Sequence, residues 1–171
     1  MHFVFMGVAG SGKTTVAHQV AERLGLPFAE ADTFHPRANI DKMAAGVPLT
    51  DADRWPWLRE LAGWISGHDA RGQDSVMACS ALRRDYRDVL RGGARDVHFL
   101  HMDGPEQVIL DRIAARPDHF MPPALLRSQL DTLEALGADE EGAVFDVRLD
   151  VDTLVERALG YVEQRMGPTF A

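Results

Sequence analysis

"HFVFMGVAGSGKT", residues 2–14, runs an apolar segment into a glycine-rich loop and ends on Lys13 and Thr14. Within it "GVAGSGKT", Gly7–Thr14, has the spacing G-x-x-x-x-G-K-[ST], with a strand pattern before it and an amphipathic helix pattern after it. In that context the glycines let backbone N–H groups converge on phosphate oxygens, and the helix N-terminus adds its positive end. Lys13 is placed to reach the β and γ phosphates, and Thr14 is a candidate magnesium ligand. The nucleotide-binding candidates are therefore Gly7, Ala9, Gly10, Ser11, Gly12, Lys13, Thr14 and Thr15.

Outward from this loop, apolar runs alternate with amphipathic stretches, the pattern of an α/β chain with a parallel sheet and helices on both faces. Strands are expected at His2–Met6, Phe28–Ala31, Ser75–Cys79, Val97–Met102 and Phe145–Leu149. The last alternates, Phe145, Val147 and Leu149 against Asp146 and Arg148, as a half-exposed edge strand would. Helices are expected at Lys13–Leu24, Ala38–Ala45, Asp53–Ser66, Arg84–Arg91, Glu106–Ala115, Pro123–Leu136 and Asp152–Arg165. Ile40 and Met43 are expected to anchor the second of these in the core. "ARPDHFMPP", residues 115–123, interrupts helical periodicity with three prolines and reads equally as a flap or as a plain loop between helices.

The 171 residues, 46% hydrophobic, suffice for one domain with one core and no need of disulfides. The single Cys79 lies in an apolar run and excludes an intrachain disulfide, which favours a reducing, cytoplasmic setting. No stretch approaches the roughly 20 apolar residues of a membrane span. A formal charge of −8 argues against general nucleic-acid binding, which needs clustered cations. Only Lys13 and Lys42 are lysines.

A phosphate-binding loop does not say what is done with the nucleotide. Neither lysine is preceded by Asn or Thr, so the guanine-reading motif of a GTPase switch cannot be built. The third strand ends at Ser80 and not at a carboxylate, which together with the short chain disfavours a large ATPase motor. A small kinase remains, and it needs a metal, cations around the moving phosphoryl group and a residue to orient the attacking hydroxyl. Glu30 and Asp32 stand at the C-terminal end of the second strand, where ligands of open α/β sheets bind. An extended segment would put both on one side, Glu30 toward a magnesium-bound water and Asp32 toward the substrate hydroxyl; the alternative is a pair of solvated loop acids. His35 is a candidate donor to a substrate oxygen, and Arg37 and Arg54 are candidates for a substrate carboxylate, Arg54 being favoured at the head of a helix. Arg112 and Arg116, four apart on a helix, share a face that either meets the nucleotide or is simply solvated. Trp55, Trp57 and Trp64 are read as packing residues.

Beyond the loop, "EADTFHPRANIDKMAAGVPLTDADRWPWL", "CSALRRDYRDVLR", "HFMPPALLRSQLDTLE" and "GADE" follow in an order and spacing that resembles the small P-loop gluconokinases, themselves similar to shikimate and nucleoside monophosphate kinases. The resemblance spans nearly the whole chain. It implies a five-stranded parallel sheet in the order 2-3-1-4-5 with a lid, one domain over 1–171, a substrate-binding region at about 32–66 and a lid at about 113–135. It further implies ATP and Mg²⁺ as cofactors, D-gluconate as acceptor and a homodimer. Carried onto this sequence, Gly10, Gly12, Lys13 and Thr14 bind ATP and magnesium, Asp32 meets the gluconate hydroxyl, Arg54 binds gluconate and Arg116 is a lid arginine over the phosphates. Arg112 is then the adenine-side candidate, with His119 and Gln129 as further substrate candidates near the lid. Ala31 stands where that pattern usually has glycine. The reading that follows is phosphorylation of gluconate to 6-phosphogluconate, with a kinase for another sugar or hydroxy acid such as shikimate, or a nucleotide-binding regulatory module, as alternatives.

Overall fold

A computed structural model of the chain describes residues 1–116 and 123–167. In chain order the described elements are β1 (His2–Met6), α1 (Lys13–Leu24), β2 (Phe28–Glu30), a 3-10 turn (Ala31–Phe34), α2 (Arg37–Ala44), α3 (Asp51–Asp69) and β3 (Ser75–Ala78). Then come α4 (Arg84–Arg91), β4 (Val97–Asp103), α5 (Glu106–Ala114), α6 (Pro123–Thr132), β5 (Gly142–Asp146) and α7 (Val151–Met166). The five strands pair in parallel in the order β2-β3-β1-β4-β5. No helix among the described residues is long and apolar enough to cross a membrane.

β1 is buried on both faces, so its two-residue period feeds two cores. Phe3 and Phe5 pack toward α1 and α7, among Val16, Val20, Leu154, Val155 and Ala158. Val4 and Met6 pack on the other side with Leu58, Leu61 and Ile65 of α3 and Leu90 of α4. Each such fully buried side chain contributes about 1.5–3 kcal/mol, and the two faces together hold β1 at the centre of the sheet. α3 starts at Asp51, two residues before the expected point, because Thr50 and Asp53 form a capping box: Asp53 N–H donates to Thr50 Oγ1 at 3.2 Å and Thr50 N–H to Asp53 Oδ2 at 2.9 Å.

Two elements depart further from the sequence expectation. β5 is the edge strand, as expected, but it runs Gly142–Asp146 and not Phe145–Leu149. At Gly142 the chain passes so close to β4 that a Cβ would lie 2.1 Å from the Phe99 carbonyl oxygen, so the strand opens on a position that only glycine fits. After Asp146 the backbone turns, with Arg148 N–H donating to Asp146 Oδ1 at 2.9 Å, and Val147 enters the core from the turn. α6 stops at Thr132 and not at Leu136, because residues 133–136 serve other partners: Glu134 N–H donates to Leu82 O at 2.7 Å, and the Arg87 guanidinium donates to the Glu134 and Ala135 carbonyls at 3.2 and 3.3 Å.

Candidate active site

The loop between β1 and α1 wraps the N-terminus of α1, aiming its end at the C-terminal edge of the sheet. Gly10, at φ +78°, lies against α5 so closely that a Cβ would fall 2.4 Å from Ile113 Cγ1, so the loop's shape is set partly by that helix. Gly10, Gly12, Lys13, Thr14 and Thr15 line a small cleft together with Arg116. Ser11 is fully buried, and its hydroxyl has no hydrogen-bond partner among the described residues.

Thr14 Oγ1 donates to Glu30 Oε2 at 2.6 Å, which ties the loop to the end of β2. Glu30 also turns the chain: its Oε1 accepts from Asp32 N–H at 3.3 Å, and its carbonyl accepts from Thr33 Oγ1 at 2.8 Å. β2 therefore ends at Glu30, one residue short of the expected strand, and Asp32 sits in the 3-10 turn. The two acids do not project as an extended pair. Glu30 faces Thr14, while Asp32 lines a separate and larger cavity.

That cavity, of about 200 Å³, has Asp32, His35, Arg54, Ser80, Ser128 and Gln129 as its polar wall and Trp57, Met43, Leu49, Leu82 and Leu125 among its apolar wall. Ala9 and Lys13 of the loop close one side, so Lys13 lines both the phosphate-loop cleft and the larger cavity. Arg54 is held from beneath: its Nη1 donates to the Tyr86 hydroxyl at 3.0 Å, its guanidinium carbon lies 5.3 Å from the Tyr86 ring centre, and the Tyr86 hydroxyl donates to Asp51. Burial and the hydrogen bond to Asp51 push the Tyr86 phenol up to about 12, so it remains a donor at any physiological pH. His35 is buried, stacked on Trp57 with ring centres 4.1 Å apart. Burial lowers its pKa below the ordinary histidine value, with Asp32 opposing and Arg54 assisting.

Several expected site residues are placed differently. Arg112 and Arg116 do not share a helix face, because α5 ends at Ala114 and Arg116 follows the helix. Arg116 lines the loop cleft; Arg112 Nη2 donates to the Val147 and Leu149 carbonyls after β5. Gln129 lines the cavity, but its Oε1 accepts from Ala9 N–H at 2.7 Å and so joins α6 to the phosphate loop. His119 lies outside the described residues. Arg37 pairs with Asp41 on the surface, and Lys42 donates to Asp53 at 2.7 Å at the start of α3. Trp57, read as packing, both packs and lines the cavity, donating through Nε1 to Ala31 O at 2.8 Å. Cys79 is buried packing, its thiol pushed up to about 12 by burial.

A family model described as an AAA domain matches residues 3–136. The gluconokinase of Gluconobacter oxydans (strain 621H) is 50% identical over 137 residues, which cover 80% of this chain and 77% of that one. The chain belongs to the gluconokinase family. Two solved structures carry the same likeness into three dimensions. A gluconokinase from Sinorhizobium meliloti 1021 is 41% identical with a TM-score of 0.88, over 96% of this chain and 92% of that one. An unliganded sugar kinase from Janibacter sp. HTCC2649 is 56% identical with a TM-score of 0.91, over 95% and 94%. The sheet order expected from the resemblance is the one found.

Proposed function

We propose that this chain is an ATP-dependent gluconokinase that phosphorylates D-gluconate at its terminal hydroxyl, giving 6-phospho-D-gluconate. One observation carries the reading: Lys13 lines both the P-loop cleft and a cavity whose polar wall offers a carboxylate, an imidazole and a guanidinium. A phosphate donor in the first and a hydroxy acid in the second would meet at that lysine.

The residues divide the work. The P-loop amides and Lys13 hold the phosphates, and Arg116 and Lys13 offset charge on the transferring group. Arg54 takes the gluconate carboxylate, for which its fork of donors is shaped. That leaves the far end of the molecule toward Asp32. Asp32 accepts the proton of the terminal hydroxyl as its oxygen bonds to phosphorus and the bond from phosphorus to the ADP oxygen breaks. His35 and Gln129 contribute further polar contacts, and Arg112 borders the nucleotide side.

The donor set at Thr14 and Glu30 suits magnesium. Two hard oxygens stand 2.6 Å apart beside the P-loop, and among the described residues no group of three or more His, Cys, Asp or Glu is placed to hold a metal alone. Mg²⁺ typically takes one or two protein oxygens and completes its shell with phosphates and water. When bound, it neutralises phosphate charge; Thr14 would hold it directly and Glu30 through water. The same proposal includes one domain with a substrate region at about 32–66 and a lid at about 113–135, and a cytoplasmic homodimer.

The test is ATP consumption against a panel of aldonic acids, shikimate and nucleoside monophosphates. Turnover with gluconate well above the rest is expected; turnover with another acceptor and none with gluconate would overturn the reading.

A further inference from the structure

α2 buries Asn39, 3% exposed, while its neighbour Ile40 stands 45% exposed. Hydrophobicity alone would place them the other way round, and a buried amide is costly unless its polar atoms are matched. Asn39 Nδ2 donates to the Asp53 backbone oxygen at 2.9 Å and lies 3.2 Å from His35 Nδ1. A backbone carbonyl only accepts, so it fixes the amide with its nitrogen on this side, and the second Nδ2 hydrogen is left for His35. Because an N–H cannot receive an N–H, His35 Nδ1 holds a lone pair. The neutral ring then carries its proton on Nε2.

One further contact holds the ring itself, and two more anchor that partner and the His35 backbone. Trp57 stacks on it at an interplanar angle of 18°, and Trp57 is itself tied to Ala31 O. The His35 backbone N–H donates to the Asp32 backbone carbonyl at 3.4 Å. The charged groups acting on the imidazole are Asp32 and Arg54, which oppose each other, while burial keeps it neutral. His35 lines the acceptor cavity, and Nε2–H is the ring's remaining polar group to offer there.

We propose that Asn39 is a positioning residue that holds His35 as a fixed Nε2–H donor to an oxygen of the acceptor substrate. The substrate half of this statement rests on the proposed gluconate site; the tautomer does not. It explains why α2 buries an amide: an Ile or Leu at 39 would leave the ring free to exchange tautomers and to present a bare nitrogen to a substrate oxygen.

The test is a long-range ¹H–¹⁵N correlation spectrum of the histidine rings in the full chain without substrate, joined to steady-state kinetics. The expected spectrum has His35 protonated on Nε2 and bare on Nδ1. Asn39→Asp, whose carboxylate only accepts, should shift the proton of the neutral ring from Nε2 to Nδ1 and, with kinetics read at a pH where the spectrum shows a single ring proton, raise the KM for gluconate by about two- to tenfold, the worth of one hydrogen bond, with the KM for ATP unchanged. A proton on Nδ1 in the unaltered protein would overturn the proposal, and so would an Asn39→Asp protein whose ring proton moves while its gluconate KM does not. If Asn39→Asp does not fold, the spectrum of the unaltered protein still decides. Failure of gluconate as an acceptor would strike the proposed function and leave the tautomer result standing.

Discussion

Thr14 Oγ1 and Glu30 Oε2 stand 2.6 Å apart, joined by the one hydrogen bond that links the P-loop threonine to the end of β2. The pairing sets two oxygens beside the phosphate cleft, and substitution at either position should weaken the response to Mg²⁺ before it weakens folding. Thr14→Val is expected to raise the Mg²⁺ concentration giving half-maximal rate and to lower kcat, with the melting temperature nearly unchanged. Turnover should vanish on chelation and return on adding Mg²⁺. A Thr14→Val protein with unaltered Mg²⁺ dependence would remove Thr14 from the metal site.

Asp32 lines the cavity from a turn, with its backbone N–H bonded to Glu30. Asp32→Asn keeps the shape and loses the proton acceptor. A kcat lowered by about 10²- to 10⁴-fold is expected, with a much smaller change in the KM for gluconate. Near-normal kcat would show that Asp32 does not take the proton.

Arg54 should act on binding. Arg54→Ala is expected to raise the gluconate KM by about 10- to 100-fold, the range for a hydrogen bond to a charged group, with a smaller effect on kcat and none on the KM for ATP. Tyr86→Phe keeps the ring beneath the guanidinium and removes its hydroxyl partner, so its effect should run in the same direction and be smaller. Equal effects on both substrates would instead indicate a general loss of structure.

Arg87 and Glu140 form a fully buried ion pair, 2.8 Å from Nε to Oε1, and Arg91 joins it at 2.7 Å. Arg87→Met leaves Glu140 with one cationic partner and strips donors from the Ala81, Glu134 and Ala135 carbonyls, so a loss of about 3–5 kcal/mol in unfolding free energy is expected. Burial raises the Glu140 pKa, but hydrogen bonds from Arg87, the Gly137 N–H and Arg91 outweigh it and hold the carboxyl at about 2. A folded pKa below the unfolded value of 4.5 stabilises the protein above that pH, and the contribution is lost as pH falls toward 2. Chemical denaturation across that window should show stability falling with acid, and Glu140→Gln should flatten the fall.

The parts of the fold legible in the sequence are those set by local pattern. The P-loop, the alternating strands and helices, and the placement of Arg54 at the head of α3 follow from spacing and period. What was not legible depended on partners far away in the chain. α6 ends early because Leu82 and Arg87 claim the backbone after Thr132. β5 opens on Gly142, where the Phe99 carbonyl leaves no room for a side chain. Asn39 gave no signal, since its burial is repaid only by Asp53, fourteen residues on, and by His35; the helical period pointed to Ile40. Glu30 and Asp32 stand out in the sequence by their position at a strand end, but their divergence depends on Glu30 closing its own turn.

In the proposed mechanism Arg54 holds one end of gluconate and Asp32 receives the other beside Lys13. The most direct measurement is ³¹P NMR of the product formed from D-gluconate, ATP and Mg²⁺. A single new phosphomonoester on the terminal carbon, with ADP in equal amount, is the expected result. ATP hydrolysed to inorganic phosphate with gluconate untouched, or phosphate attached to any other oxygen of gluconate, would contradict it.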